Sequence, residues 1–313
     1  MNNKLKGGIF VFLGACSFGV LSTIVKKAYA EGYTLGHITG SQVFFGAVLL
    51  WLLYLAECTF FRSNKDKEEI GTQQKVRTSW WKVCLAGSFT GLVGIFYYQC
   101  VKLLPASIAI ILLMQYLWIS ILIEAIVFKK KPHRIQLIAA GVVLIGTLFA
   151  GGIFEDSLQL NSKGIMFGFL AATSYAFFLL TSGRVGNDLP ALKKSALMIT
   201  GSCILTFIIF PPLFFIDGTF VDGLYKWGLV LAVLGTVIPP LFFSIGVPKV
   251  GVSLGAILSA AELPVAVLSS NFILHERVTL VRWLGVALIL SAIVFTNVKF
   301  KNKQKKNGFQ NLN

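Results

Sequence analysis

Ten closely spaced stretches of about twenty apolar residues leave this chain few folds to choose from. A helix needs roughly 20 residues to cross a hydrocarbon core. By that measure the crossings fall near 6–28, 35–57, 80–101, 105–128, 135–153, 163–182, 195–216, 226–246, 250–274 and 279–298. A chain of 313 residues that is 56% hydrophobic and 13% charged, with a mean hydropathy of +0.77, holds more apolar side chain than a soluble domain can cover. The expected fold class is an all-α polytopic membrane protein of ten transmembrane helices. Ala28-Tyr29-Ala30 imitates a signal-peptide cleavage site, but Lys26 and Lys27 precede it and more spans follow, so the first helix is read as uncleaved.

The net charge of +15 would also fit a nucleic-acid partner, yet its placement fits a membrane better. Lysines and arginines gather at Lys4 and Lys6, in 62–82, at Lys129, Lys130, Lys131 and Arg134, at Arg184, Lys193 and Lys194, at Lys249 and in the tail 299–313. The alternate loops carry Glu155, Asp156, Asp217 and Asp222 instead. Positive charge marks the cytoplasmic side, so both termini are expected there, in a multi-pass protein of the cell inner membrane. The linker 62–79 is polar and without an apolar face, and the basic tail reads as a cytoplasmic anchor. Five scattered cysteines form no CxxC and no metal spacing, and no cofactor or metal is expected.

The chain also repeats itself. Span 1 aligns with span 6 at an offset of 157, through Gly7/Gly164, Phe12/Phe169, Ala15/Ala172 and Ser17/Ser174. Ile38-Thr39-Gly40-Ser41 recurs as Ile199-Thr200-Gly201-Ser202. From Trp81/Trp227 onward the offset holds at 146, through Thr90/Thr236, Ser107/Ser253 and Leu117/Leu263 to Phe149/Phe295. Because five is odd, the second unit must enter the membrane from the opposite side. The expected domains are a first five-helix repeat over 1–153, an inverted second repeat over 154–298, and the tail. Two inverted halves are the plan of a secondary transporter, with solute bound near midplane where the repeats meet.

Span 9 carries a glutamate at its middle, Glu262, where a carboxylate is costly and marks a bundle interior or wet cavity. Helical spacing sets Gly255, Ser259, Glu262, Ala266 and Ser270 along one face. The matching face of span 4 is Ala109, Leu113, Tyr116, Ser120 and Glu124, so Tyr116 and Glu262 are expected across a shared cavity. Glu262 then pairs with a solute cation or takes up a proton; a structural hydrogen bond is the competing reading. Glu124, one turn before Lys129-Lys130-Lys131, is read first as a carboxylate that reaches the interface, with a cavity role as the alternative. Ser17 and Gly19 on span 1, with Ser174 and Tyr175 on span 6, fit close packing with hydroxyls turned inward. Gln42 on span 2 and Gln99 on span 3, beside Tyr97 and Tyr98, read equally as packing bonds and as solute contacts. Pro211-Pro212 and Pro239-Pro240 should kink spans 7 and 8.

Two motif matches fail on context. Gly251–Gly255 fits G-x-S-x-G, with Ser253, Glu262 and His275 in hydrolase order, but no strand-turn-helix elbow exists here. His275-Glu276 lacks the second histidine of a zinc motif. No phosphate-binding glycine loop opens a helix, which argues against an ATP-driven pump, and no enzyme is expected.

The duplicated five-helix unit and the segment ELPVAVLSSNFILHER, followed by LVRWLGVALILSAIVF, resemble the EamA-type branch of the drug/metabolite transporter superfamily. The positions that carry the likeness are Ser259, Glu262, Pro264, Glu276, Trp283 and Gly285, with Ser17-Phe18-Gly19 on span 1. The chain departs from the family at Gln42, where an arginine is common, and at Tyr116 and Trp118, where a glutamate and proline are. The resemblance implies a cavity lined by spans 1, 3, 4, 6, 8 and 9, with 5 and 10 peripheral. It implies a secondary active transporter of small polar metabolites, amino acids or related compounds, by export or exchange. The alternatives are a sugar-phosphate or nucleotide-sugar exchanger, which needs cavity cations, and a lipid-handling enzyme or scramblase. The expected partners are a small-molecule solute and the lipid bilayer, with a homodimer left open and nucleic acid excluded.

Overall fold

The computed structural model describes residues 3–60, 78–104, 106–129, 132–150, 161–274 and 278–310. Glu155, Asp156, Glu276, His275, Lys130, Lys131 and most of the linker 62–79 lie outside them. No strand occurs among the described residues, and every apolar stretch is helical. Eight helical runs are long and apolar enough to cross a membrane, and two shorter apolar helices, Arg134–Ala150 and Leu280–Phe295, occupy the places of spans 5 and 10.

Span 1 is α1 (Asn3–Gly19) followed by α2 (Leu21–Ala30); spans 2 and 3 are α3 (Leu35–Phe60) and α4 (Trp80–Leu103). Span 4 divides into α5 (Ala106–Leu113) and α6 (Tyr116–Phe128), and span 5 is α7 (Arg134–Ala150). Spans 6 and 7 are α8 (Ser162–Arg184) and α9 (Ala191–Ile209). Span 8 is α10 (Tyr225–Leu231) and α11 (Ile238–Val250), joined by a wide π-type turn over Ala232–Val237. Span 9 divides into α12 (Val252–Ser259) and α13 (Glu262–Leu274), and span 10 is α14 (Leu280–Gln310).

Both proline pairs leave their mark, in different ways. Pro239 and Pro240 sit in the first turn of α11, just after the π-type turn, where a missing N–H does least harm. Pro211-Pro212 does not kink span 7. Instead α9 stops at Ile209 and the prolines lead into a single 3-10 turn, Leu213–Phe215, because neither ring nitrogen can continue the helical ladder.

Helices of the two halves interleave. Span 3 packs against spans 6 and 7, while span 8 packs against spans 1 and 2. Span 4 lies on span 6, and span 9 on span 1; α6 meets α12, and α7 meets α14. Some crossings are close enough to exclude any side chain. A Cβ on Gly87 would stand 1.9 Å from the Met198 carbonyl oxygen, and one on Gly201 would stand 1.9 Å from that of Cys84. This reciprocal contact binds α4 to α9, the small-residue crossing common between membrane helices.

Outward positions are apolar, among them Leu52, Ile126, Ile138, Ile208 and Leu284, all exposed. Span 9 is the reverse, with 89% of its membrane window buried, and so forms the axis of the bundle. The lysine at 194, grouped with loop cations on sequence grounds, is 1% exposed. Its Nζ donates to the Ser182 carbonyl (2.7 Å) and to Asn187 Oδ1 (2.8 Å), so it closes the open end of α8.

Candidate functional site

Span 9 breaks just before Pro264, as span 4 breaks at the equivalent place before Trp118. Lacking an N–H, Pro264 cannot bond the Ala260 carbonyl; Ala260, Ala261 and Leu263 bond carbonyls three residues back, at 3.2–3.3 Å. Glu262 thereby becomes the first residue of α13, at mid-bundle. Its backbone lies against span 1 where Gly19 has no side chain; a Cβ there would approach the Glu262 carbonyl oxygen to 2.4 Å.

The Glu262 side chain is 5% exposed and lines a cavity of about 50 Å³, room for a few water molecules. Phe18, Tyr97, Tyr98, Tyr175 and Phe178 form its aromatic wall. Gln42 is fixed across from them, its Oε1 accepting from the Tyr98 hydroxyl at 2.9 Å. Six buried polar atoms lack a hydrogen-bond partner among the described residues and line this one cavity: Glu262 Oε2 and the hydroxyls of Tyr97, Tyr175, Thr90, Ser202 and Thr206. Buried polar groups are nearly always satisfied, so such a cluster points to a polar guest. No lysine, arginine or histidine is among the lining residues.

Of the residues singled out in the sequence, the cavity takes Glu262, Tyr175, Gln42, Tyr97 and Tyr98. Ser17 and Ser174 stand next to lining residues and point away, since neighbours on a helix diverge by about 100°. Ser17 Oγ instead donates to the Leu234 carbonyl at 2.6 Å. Tyr116 is fully buried behind the wall, its ring 4.4 Å from that of Tyr175 and its hydroxyl donating to the Ala256 carbonyl at 3.3 Å. Ser259 bonds its own helix at the Gly255 carbonyl. Trp118 is exposed and donates to Gln115 Oε1 at 2.9 Å, so it faces away from the bundle axis.

Glu124 is remote from the cavity. Its Oε2 accepts from the Ser253 backbone N–H (2.9 Å) and from the Ser253 hydroxyl, while Oε1 lies 3.8 Å from Arg184. A carboxylate at the start of α12 complements the helix dipole there and ties together spans 4, 6 and 9. Gln99 lines a second cavity, described below.

The cavity draws on spans 1, 2, 3, 4, 6, 7, 8 and 9, so spans 2 and 7 join the expected set and spans 5 and 10 stay outside. Thr39, Ser202 and Thr206 were missed. The signal available for the first two was the recurring Ile-Thr-Gly-Ser, a polar tetrapeptide repeated inside apolar spans.

A helical bundle that crosses a membrane many times and brings eight spans to a cavity with unpartnered polar groups is built as a membrane transporter. The chain belongs to the EamA-like transporter family, whose model matches residues 5–152 and 162–298, and through it to the drug/metabolite transporter superfamily. It is 23% identical to a Bacillus subtilis protein called the uncharacterized transporter YcbK, over 95% of this chain and 96% of that one. It is 24% identical to the uncharacterized transporter sll1319 of Synechocystis, over 95% and 94%. A solved crystal structure shares the fold with a TM-score of 0.67 and 15% identity, covering 92% of this chain and 96% of the other.

Proposed function

We propose that the protein is a secondary active transporter that moves small polar metabolites carrying an amine, amino acids among them, across the cytoplasmic membrane by alternating access. The observation that carries the reading is the buried Glu262 carboxylate, whose Oε2 has no hydrogen-bond partner among the described residues, in an aromatic cavity lined by no cation. Such a carboxylate is costly to bury alone, and an ammonium group or a proton satisfies it. Aromatic faces add cation–π attraction to the same guest. The lack of lining cations weighs against sugar phosphates and nucleotide sugars, whose phosphates need them.

Two features support inverted repeats as the working parts. Spans 4 and 9 break at Met114-Gln115 and Ala260-Ala261, the same 146-residue offset that relates their sequences. The packing of the spans also maps onto itself when the halves are exchanged. Basic-residue placement supports both termini on the cytoplasmic face. A cavity of about 50 Å³ is too small for a metabolite, so loading requires the halves to part.

The test is solute counterflow in proteoliposomes with amino acids, nucleosides and phosphorylated sugars, paired with thermal stabilisation of wild type and Glu262→Gln. A ligand at 100 times its Kd stabilises by about 2.7 kcal/mol. Amino-acid or amine counterflow that disappears in a folded Glu262→Gln protein supports the reading. A fully active Glu262→Gln transporter refutes it.

A further inference from the structure

A second cavity, of about 560 Å³, lies beyond the first along spans 2, 3 and 7. The two adjoin along the same helices, with no lining residue in common. On α4 the first cavity takes Thr90, Gly91, Val93, Gly94, Tyr97 and Tyr98, and the second takes Ile95, Gln99 and Lys102 on the adjoining face and toward the helix end. On α3, Gly36 belongs to the second cavity, and Thr39 and Val43 to the first. On span 7 the sequence is Ser202, Thr206, then Phe210, each one turn further out. Tyr98 belongs to the first space and Phe210 to the second. Phe210 rests on Gly36, where a Cβ would stand 3.2 Å from its own.

The charges of the two spaces are opposite. The first holds Glu262 and no cation. The second is lined by Lys102 and His37, with no acid among its lining residues. His37 already has Asp217 at 3.9 Å, whereas Lys102 is exposed and pairs with no acid among the described residues. Eight residues separate Gly94 from Lys102, about 12 Å of helix rise. Glu262 lines only the first space and Lys102 only the second, so a solute held in one has the other charge outside its lining.

We propose that the second cavity is a separate solute station and that Lys102 sets specificity there, admitting solutes that carry a carboxylate beside their amine and turning away simple cations. This rests on the amine-carrier reading of the Glu262 cavity. A fixed charge at the mouth of a cleft changes the local concentration of charged solutes, and the effect weakens with salt.

The experiment is counterflow by the full-length protein in liposomes with two matched pairs, serine against ethanolamine and glycine betaine against choline. Within each pair the cationic nitrogen stays, while the carboxylate is removed in ethanolamine and replaced by a hydroxymethyl group in choline. Wild type should favour the acid-bearing member, less so at high ionic strength. Lys102→Glu should shift the ratio toward the cation by about tenfold, Lys102→Gln by less, and Lys102→Arg should restore it. Ratios unchanged in Lys102→Glu and Lys102→Gln, with transport intact, overturn the assignment of Lys102 while leaving the Glu262 reading in place. Silence of all four solutes in wild type overturns the amine-carrier reading and this proposal with it.

Discussion

The crossing of α4 and α9 yields the sharpest stability prediction. Replacing Gly87 by alanine puts a methyl carbon 1.9 Å from the Met198 carbonyl oxygen, and Cβ atoms essentially never come within 3.0 Å of such a neighbour. The helices must therefore part by at least 1.1 Å at that point, the difference between those two distances. The obstacle is backbone, so no side chain can swing aside. Overpacking a tight core costs about 1–3 kcal/mol, and this contact belongs at the upper end. Gly201→Ala makes the reciprocal clash with Cys84. Once either variant has separated the helices, the second methyl meets less resistance. The double variant should then cost less than the sum of the singles by on the order of 1 kcal/mol. Thermal unfolding read with a thiol-reactive dye suits this crossing, because Cys84 and Cys203 are partly buried on its two helices. Gly141→Ala is the control: a Cβ there meets nothing within 4 Å, and stability should hold or rise slightly. Transport should fall with the crossing variants, since Thr90, Gly91, Ser202 and Thr206 line the cavity from these helices. A Gly87→Ala protein as stable as wild type refutes the packing argument, and strict additivity refutes the shared contact.

Three further outcomes are expected. Lys194→Met should destabilise by about 1–3 kcal/mol in the same assay, because it leaves the Ser182 carbonyl and Asn187 Oδ1 without their donor. Glu124→Ala should also cost about 1–3 kcal/mol, while Glu124→Gln keeps an acceptor for Ser253 and costs less; neither should alter solute preference in counterflow. Hydrogen bonds from Thr219, with His37 adding to them, hold the Asp217 carboxyl below the usual carboxylate range, so its contribution is present above about pH 4 and lost as pH falls through the lowered value. Asp217→Asn should therefore speed hydrogen exchange in 213–225 at neutral pH, with the difference closing toward pH 3; a difference that persists in acid refutes the role.

Much of the site was readable in advance, and the part that was not has a physical cause. Glu262 stood out because a carboxylate amid apolar residues has few reasons to be there, and Tyr97, Tyr98, Tyr175 and Gln42 followed as polar groups on neighbouring spans. Spacing along a helix gives the angle between two side chains but not the direction in which the helix faces. Ser17, Ser174, Tyr116 and Ser259 sit on the right helices and point elsewhere. Trp118 faces away from the axis, and Gln99 belongs to the second cavity. Glu124 shows the limit most clearly, since only the fold brings Ser253 and Arg184, distant in sequence, to the same carboxylate.

The order of apolar spans, their approximate length and the interruption of a helix at Pro211-Pro212 were determined by the sequence alone. Each depends on local chemistry: hydrocarbon thickness, helix periodicity and the missing N–H of proline. The depth of Lys194, the reciprocal glycine contact of α4 with α9 and the convergence of eight spans on one cavity were decided by tertiary structure. Those depend on which helix faces lie together, and in a chain apolar on nearly every side, hydrophobicity does not distinguish the lipid-facing side from the buried one. Close packing of small residues and the satisfaction of a few buried polar groups make that choice.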